Sequence, residues 1–171
     1  YAVTDHSKKV AMAHGLDEKR LAKKLEEIDR LNGKMKGIRV LKSIEVDILE
    51  DGSLDLSDSI LKELDLVVCS IHYNRNLSRE KQTRRILKAM ENPNFNILAH
   101  PTGRLINERS GYDIDMEKIM KEALDRNCFL EINANPDRLD LNDQNIRMAR
   151  DMGLKLSIST DAHSIDSLKN M

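Results

Sequence analysis

LVVCSIHYNRNLSREKQTRRILKAMENPNFNILAH, residues 66–100, decides the fold. Leu66 to Ile71 is a nearly continuous apolar run, as expected of a central strand covered on both faces. Ser78 then caps a helix that places Ile86, Leu87 and Met90 on one side and stops at Asn92-Pro93. Phe95 to Ala99 is a second strand. A strand, a helix of period 3.6 and another strand in so short a span make a βαβ unit, whose strands are parallel. Both strands run directly into a histidine, His72 and His100.

The same alternation extends outward. Upstream, Ala2-Val3-Thr4 reads as a strand, followed from about Asp17 by a helix with Leu21, Leu25, Ile28 and Leu31 on its apolar face and Gly33 and Gly37 at its end. Ile38 to Ile44 is the next strand, Asp51-Gly52 a turn, and Ser57 the cap of a short helix. Downstream, Asp115 begins a helix with Ile119, Met120 and Leu124 inward, before the strand Phe129 to Ile132. Asn142 caps another helix, with Ile146 and Ala149 on its inner face and Gly153 at its end, ahead of a strand from Leu154 to Ser159. No linker or low-complexity segment interrupts the pattern, so residues 1–171 read as one domain of α/β class. Tyr1-Ala2-Val3 carries no helix cap and no targeting character and reads as a strand already under way, which predicts a fragment of a longer chain.

Composition narrows the function classes. With 28 Lys and Arg against 29 Asp and Glu, the chain has no basic excess with which to coat nucleic acid, so any phosphate site must be local. An aromatic content of 3% with no Trp leaves few rings on which bases could stack. No apolar run approaches the roughly 18 residues that cross a bilayer. Cys69 and Cys128 sit inside apolar strand-like runs without a secretory signal, the pattern of buried reduced thiols in a cytoplasmic protein. Gly-rich phosphate loops, nucleophile elbows and CxxC pairs are absent from the sequence.

The strand ends carry the chemistry. AVTDH ends in Asp5 and His6, LKSIEVD holds Glu45, VVCSIH ends in His72, NILAH in His100, SISTDAH in Asp161 and His163, and FLEINANP holds Glu131, Asn133 and Asn135. In parallel α/β folds the carboxyl ends of the strands converge on one mouth, where ligands collect. A single strand-end histidine is often a hydrogen-bonded rim residue, but four of the five histidines fall at such ends and only His14 lies in a loop elsewhere. Imidazoles with carboxylates suit zinc, manganese or iron, and bound cations would also relieve the mutual repulsion of Asp5, Glu45 and Asp161. Arg84 and Arg85 read as a solvated helix face. Arg104, four residues beyond His100 in HPTGR, could clamp a phosphate or pair with a loop acid; Lys8, Arg109 and Arg138 lie in other loops bordering the mouth.

The order TDHS, SIEVDI, SIH, AHPTGR, EINANPDRLDL and STDAHS resembles that of PHP (polymerase and histidinol phosphatase) domains along essentially the whole chain. EINANPDRLDL, HPTGR and DGSLDLSD resemble the carboxy-terminal PHP domain of bacterial and archaeal family X DNA polymerases more than histidinol phosphatases. The resemblance implies a distorted (β/α)7 TIM-like barrel with up to three divalent ions, zinc or manganese, that hydrolyses phosphoesters. Carried over by motif, His6 and His163 share one ion, Glu45, His72 and His100 another, and Asp161 with Glu45 bridging a third; Glu45, Asp161 and His163 are the catalytic set. Arg104, Lys8 and Arg138 would offset phosphate charge, with Asp5 and Asn133 supporting the ligands from behind. The family's HxH pair on a first strand and its final helix are not found, so a domain lacking both is expected. The implied activity is 3′-5′ exonuclease or 3′-end processing of DNA beside an upstream polymerase domain. Its rivals are a phosphatase for a small phosphomonoester such as histidinol phosphate, and an inactive module supporting the polymerase.

Overall fold

The computed structural model describes residues 1–170. Six strands, β1 (Asp5–His6), β2 (Ser43–Asp47), β3 (Leu66–Ser70), β4 (Ile97–Leu98), β5 (Phe129–Asn133) and β6 (Leu156–Ser159), alternate with five helices, α1 (Glu18–Asn32), α2 (Asp58–Leu61), α3 (Arg79–Met90), α4 (Met116–Asp125) and α5 (Asp143–Asp151). Every strand pairs in parallel with its sequence neighbour, in the order β1-β2-β3-β4-β5-β6. An order that never reverses winds all crossovers the same way, which puts the helices on one face and lets the twisted sheet curl around the other. The curl is visible at the ends of the two outermost strands, where the rings of His6 and His163 stand 5.8 Å apart. The fold is therefore α/β of TIM-like winding.

Register separates two faces. Val46 pairs with Cys69, Cys69 with Leu98, Leu98 with Leu130 and Leu130 with Leu156, a continuous apolar row. It packs with Leu21, Leu25, Ile86, Met90, Ile119 and Met120 of the helices as the main core. Strand periodicity sends the alternate residues to the concave face, and these are Ser43, Glu45, Asp47, Ser70, Glu131 and Asn133, all buried. A polar interior explains why β2 and β5 read as mixed sequences although β2 is buried throughout.

The helix caps Asp17, Ser78, Asp115 and Asn142 each accept a backbone N–H from the first turn. Strand starts differ from the pattern in two places. The expected strand over 38–44 begins only at Ser43, because the Asn32 side chain holds both the N–H and the carbonyl of Val40 and so removes them from the ladder. The first strand falls at Asp5–His6, with Ala2 joined to Leu41 by an isolated bridge. Leu31 and Leu124, expected inward, are 45% and 37% exposed at the far turns of their helices.

Arg85 also departs from expectation. Instead of facing solvent it is buried, and its guanidinium donates to the carbonyls of Ile48, Leu49, Tyr73 and Asn74. Its spacing from Gln82, Ile86 and Ala89 puts it on the inward stripe of α3, where only a chain end rich in free carbonyls can accept it. One arginine thus ties together the loops that follow β2 and β3. Cys69 and Cys128 are free and buried. Among the described residues no helix is long and apolar enough to cross a membrane.

Candidate metal centre

Glu45 is the centre of the concave face. It is 6% exposed, and three imidazoles from the ends of β1, β3 and β4 surround its carboxylate. His100 Nε2 lies 3.1 Å from Oε1, His72 Nε2 3.6 Å from the same oxygen, and His6 Nδ1 3.4 Å from Oε2. The rings of His6 and His72 are 5.0 Å apart and those of His72 and His100 5.4 Å apart. Register accounts for the convergence: His6 pairs directly with Glu45, while His72 and His100 each follow their strand by two residues.

Three observations test whether this set fits a cation. Ligand atoms of His6, Glu45 and His72 all lie within 4.8 Å of one another, close enough to share one ion. His6 Nδ1, the ring nitrogen that faces Glu45, is buried without a hydrogen-bond partner, an arrangement that a metal or its bound water relieves. His72 Nδ1 lies 3.1 Å from Ser70 Oγ and 3.4 Å from Asp47 Oδ2, polar partners that orient the ring with Nε2 toward Glu45. The donor set fits a divalent ion.

The electrostatics agree. Burial by itself raises the Glu45 carboxyl, but the hydrogen bond from His100 and the charges of His100, His72 and His6 outweigh it and hold the group well below the carboxylate range. Burial pushes the His6 imidazole down against the pull of Glu45, favouring the neutral form that ligates metal. For His100 burial also lowers the imidazole, yet the hydrogen bond and charge of Glu45 reverse the sign and leave it raised.

The remaining residues fall into two groups. Asp161 lies at the rim, its Oδ2 3.1 Å from Arg138 Nε and 3.1 Å from Asn133 Nδ2, and His163 is exposed with Nδ1 2.8 Å from the Asp161 carbonyl. His100 and Asp161 both adopt left-handed backbone, with φ of 29° and 48°, conformations that non-glycine residues hold at a cost and that gather at functional sites. Asn133, fully buried, bridges Asp161 and Glu131, whose carboxylate accepts the His100 N–H. Asp5 is not brought to the site. Strand alternation turns it away from His6, and its carboxylate pairs with Lys24 at 2.7 Å. Lys8 is exposed and 3.9 Å from Glu18. Arg104 Nε donates to the carbonyl of Arg138 at 2.8 Å and its Nη2 to that of Leu139. His14 is exposed in the loop before α1.

Sequence reasoning passed over Asp47, Ser70 and Asp140. Asp47 and Ser70 were detectable, because each stands two residues from a ligand on the same strand face. Asp140 was not: it is buried, accepts the N–H groups of Thr102 and Gly103 at 3.0 and 2.8 Å, and joins loops 38 residues apart.

No family model matches the chain. It is 44% identical over 170 residues to the DNA polymerase/3′-5′ exonuclease PolX of Bacillus subtilis (strain 168), covering 99% of this chain and 30% of that protein. It is 34% identical over 140 residues to a probable phosphatase of Thermoanaerobacter sp. (strain X514), covering 76% of this chain and 55% of that one. Among solved structures, a Listeria monocytogenes protein assigned as the histidinol phosphatase hisK superposes with a TM-score of 0.73 over 98% of this chain and 85% of its own, at 13% identity, a likeness of fold. The chain thus spans under a third of the first relative and about half of the second. A shared winding, a run of sequence aligned over 99% of the chain and a buried carboxylate ringed by imidazoles are together consistent with a PHP domain like that of polymerase X.

Proposed function

We propose that residues 1–171 form one metal-dependent phosphoesterase domain that acts at DNA 3′ ends as the 3′-5′ exonuclease and end-processing part of a family X DNA polymerase, working in DNA repair in the cytoplasm. The observation that carries this reading is the buried Glu45 carboxylate held among His6, His72 and His100 at the mouth of the sheet. The PolX relative, described as a polymerase and 3′-5′ exonuclease, supports the DNA end over a small phosphomonoester, because it matches more of the chain at higher identity than the phosphatase relative does.

Zinc or manganese ions bound here would polarise the phosphoryl group and activate water. The chain's part is to hold and orient. His6, Glu45, His72 and His100 would hold an ion on the concave face, and Asp161 and His163, in the loop after β6, would add ligands from the rim. Asn133 orients Asp161, while Asp47 and Ser70 fix the ring of His72. Arg138, Arg104 and Lys8 would offset charge on the non-bridging oxygens. Burial pushes the thiols of Cys69 and Cys128 up, so neither serves as a nucleophile.

Activity on a 3′-labelled oligonucleotide and on histidinol phosphate, assayed side by side with added manganese, tests the proposal; turnover of the phosphomonoester alone would overturn the DNA assignment. Elemental analysis gives a second check. His100→Ala is expected to empty the ion at Glu45, whereas His14→Ala leaves occupancy unchanged, and equal effects at both positions would sink the ligand assignment. For Arg104→Lys the expected result is a raised KM or lowered kcat with the metal content intact, since lysine keeps the charge but loses the planar fork. Unchanged kinetics would restrict Arg104 to fastening the Arg138–Leu139 loop.

A further inference from the structure

Guanidinium groups from three different loops gather beside the centre. Gly103 lies one tight turn beyond His100, its N–H bonded to the His100 carbonyl at 2.8 Å. Its own carbonyl accepts from Arg75 Nη2 at 2.5 Å and from Arg109 Nη2 at 3.1 Å. Arg75 also lies over the Tyr112 ring, 5.4 Å from its centroid, and Tyr112 is buried, with its hydroxyl 3.5 Å from the His100 carbonyl. Glycine is required at 103: φ is +62°, and a Cβ there would fall 2.7 Å from the Tyr112 ring and 3.0 Å from Arg75. Arg104 and Arg138 continue the group toward Asp161.

Direct ion pairs are few. Among the described residues Arg138 has Asp161 within 4.0 Å, but Arg75, Arg104 and Arg109 have no carboxylate within that distance. Burial first and then the charge of Arg109 lower the Arg75 guanidinium, with Arg138 adding to the fall and Tyr112 and Asp140 opposing it, so the guanidinium groups are near enough to repel. Each guanidinium offers five N–H donors, and Arg75 and Arg109 commit one apiece, both to the same carbonyl. In a chain of net charge -1 this is a local concentration of positive charge, placed beside the metal ligands.

We propose that Arg75 and Arg109, held on the Gly103 carbonyl, form a second phosphate position that receives an internucleotide phosphate of a single-stranded DNA end while the terminal phosphate occupies the metal centre. A small phosphomonoester has no second phosphate to place there, so the pair selects for a strand. Recognition is through the backbone and independent of base, consistent with the scarcity of aromatic rings. The substrate named here rests on the phosphoesterase reading, but the binding does not.

The test is fluorescence anisotropy of a 5′-fluorescein-labelled single-stranded DNA oligonucleotide, titrated with the full chain in EDTA at several salt concentrations. The double variant Arg75→Ala/Arg109→Ala is expected to weaken binding about tenfold and to reduce the slope of log K against log salt by about 0.7 for each lost contact. Arg75→Lys/Arg109→Lys keeps charge, guards against misfolding, and should retain the slope while losing a few-fold in affinity. Arg147→Ala, exposed on α5 and paired with Asp143, should leave Kd unchanged. Equal Kd and slope for the alanine pair and the unaltered chain, or an equal loss from Arg147→Ala, would overturn the proposal. Oligonucleotide binding that depends on the arginine pair, in a chain that hydrolyses no phosphodiester, would uphold it and instead defeat the phosphoesterase reading; hydrolysis with binding indifferent to the pair would do the reverse.

Discussion

Replacing Glu45 by Gln should empty the metal centre and reduce phosphodiester hydrolysis by well over a hundredfold, beyond the range typical of outer partners of a metal site. The amide keeps the shape but loses the charge on which three imidazoles converge, and an NH2 turned toward His100 would set a donor against the Nε2–H that the carboxylate accepts. Metal content by elemental analysis and turnover of a 3′-labelled oligonucleotide measure the effect; a variant that retains both would remove Glu45 from the centre. A pH signature accompanies it. Glu45 ionises at a lower pH in the folded chain than its ordinary value of 4.5, so its contribution to stability is present above that value. That contribution is lost as pH falls through the folded value. In EDTA the unaltered chain should therefore lose stability on acidification more steeply than Glu45→Gln, and parallel curves would contradict the ion-pair account.

Arg85→Ala is expected to destabilise the fold by about 3–5 kcal/mol, the cost of breaking a buried charged network and leaving its partners unpaired. The carbonyls of Ile48, Leu49, Tyr73 and Asn74 would each lose a charged donor, and the space left by the side chain adds a cavity. For a chain of this size the loss corresponds to a fall in Tm of roughly 10 °C. Because the freed loops follow Asp47 and precede α3, the geometry of His72 should loosen with them, lowering metal affinity as well. Arg85→Met, which restores volume but no donors, should recover little. A shift in Tm of under about 2 °C for Arg85→Ala would show that water satisfies those carbonyls without the arginine.

What could be read in the residue order was local. Caps at Asp17, Ser78, Asp115 and Asn142 and the 3.6 period of α1, α3, α4 and α5 place the helices, since these signals lie within a turn or two of chain. The apolar run at Leu66–Ser70 marks the strand that lies in mid-sheet, paired on both sides. Histidines at successive strand ends point to one mouth, because parallel winding leaves them nowhere else to gather. Motif order carried the resemblance that names the family.

Distance along the chain hid the rest. Whether Glu45 meets His6, His72 or Asp161 depends on register across β1, β2 and β3 and on the curl of the sheet, and these follow from the packing of all the helices on one face. Asp5 and His6 are adjacent in sequence yet face opposite ways, so only the pairing of His6 with Glu45 decides which of them serves the centre. Arg85 finds its partners 11 to 37 residues away and Asp140 finds its own 37 and 38 away, on loops whose approach no local pattern encodes. The sequence by itself determined the elements, their parallel order and the residue types available at the mouth; tertiary structure alone decided which side chains touch, because burial beside a particular neighbour, more than position in the chain, sets the charge and hydrogen bonding of each.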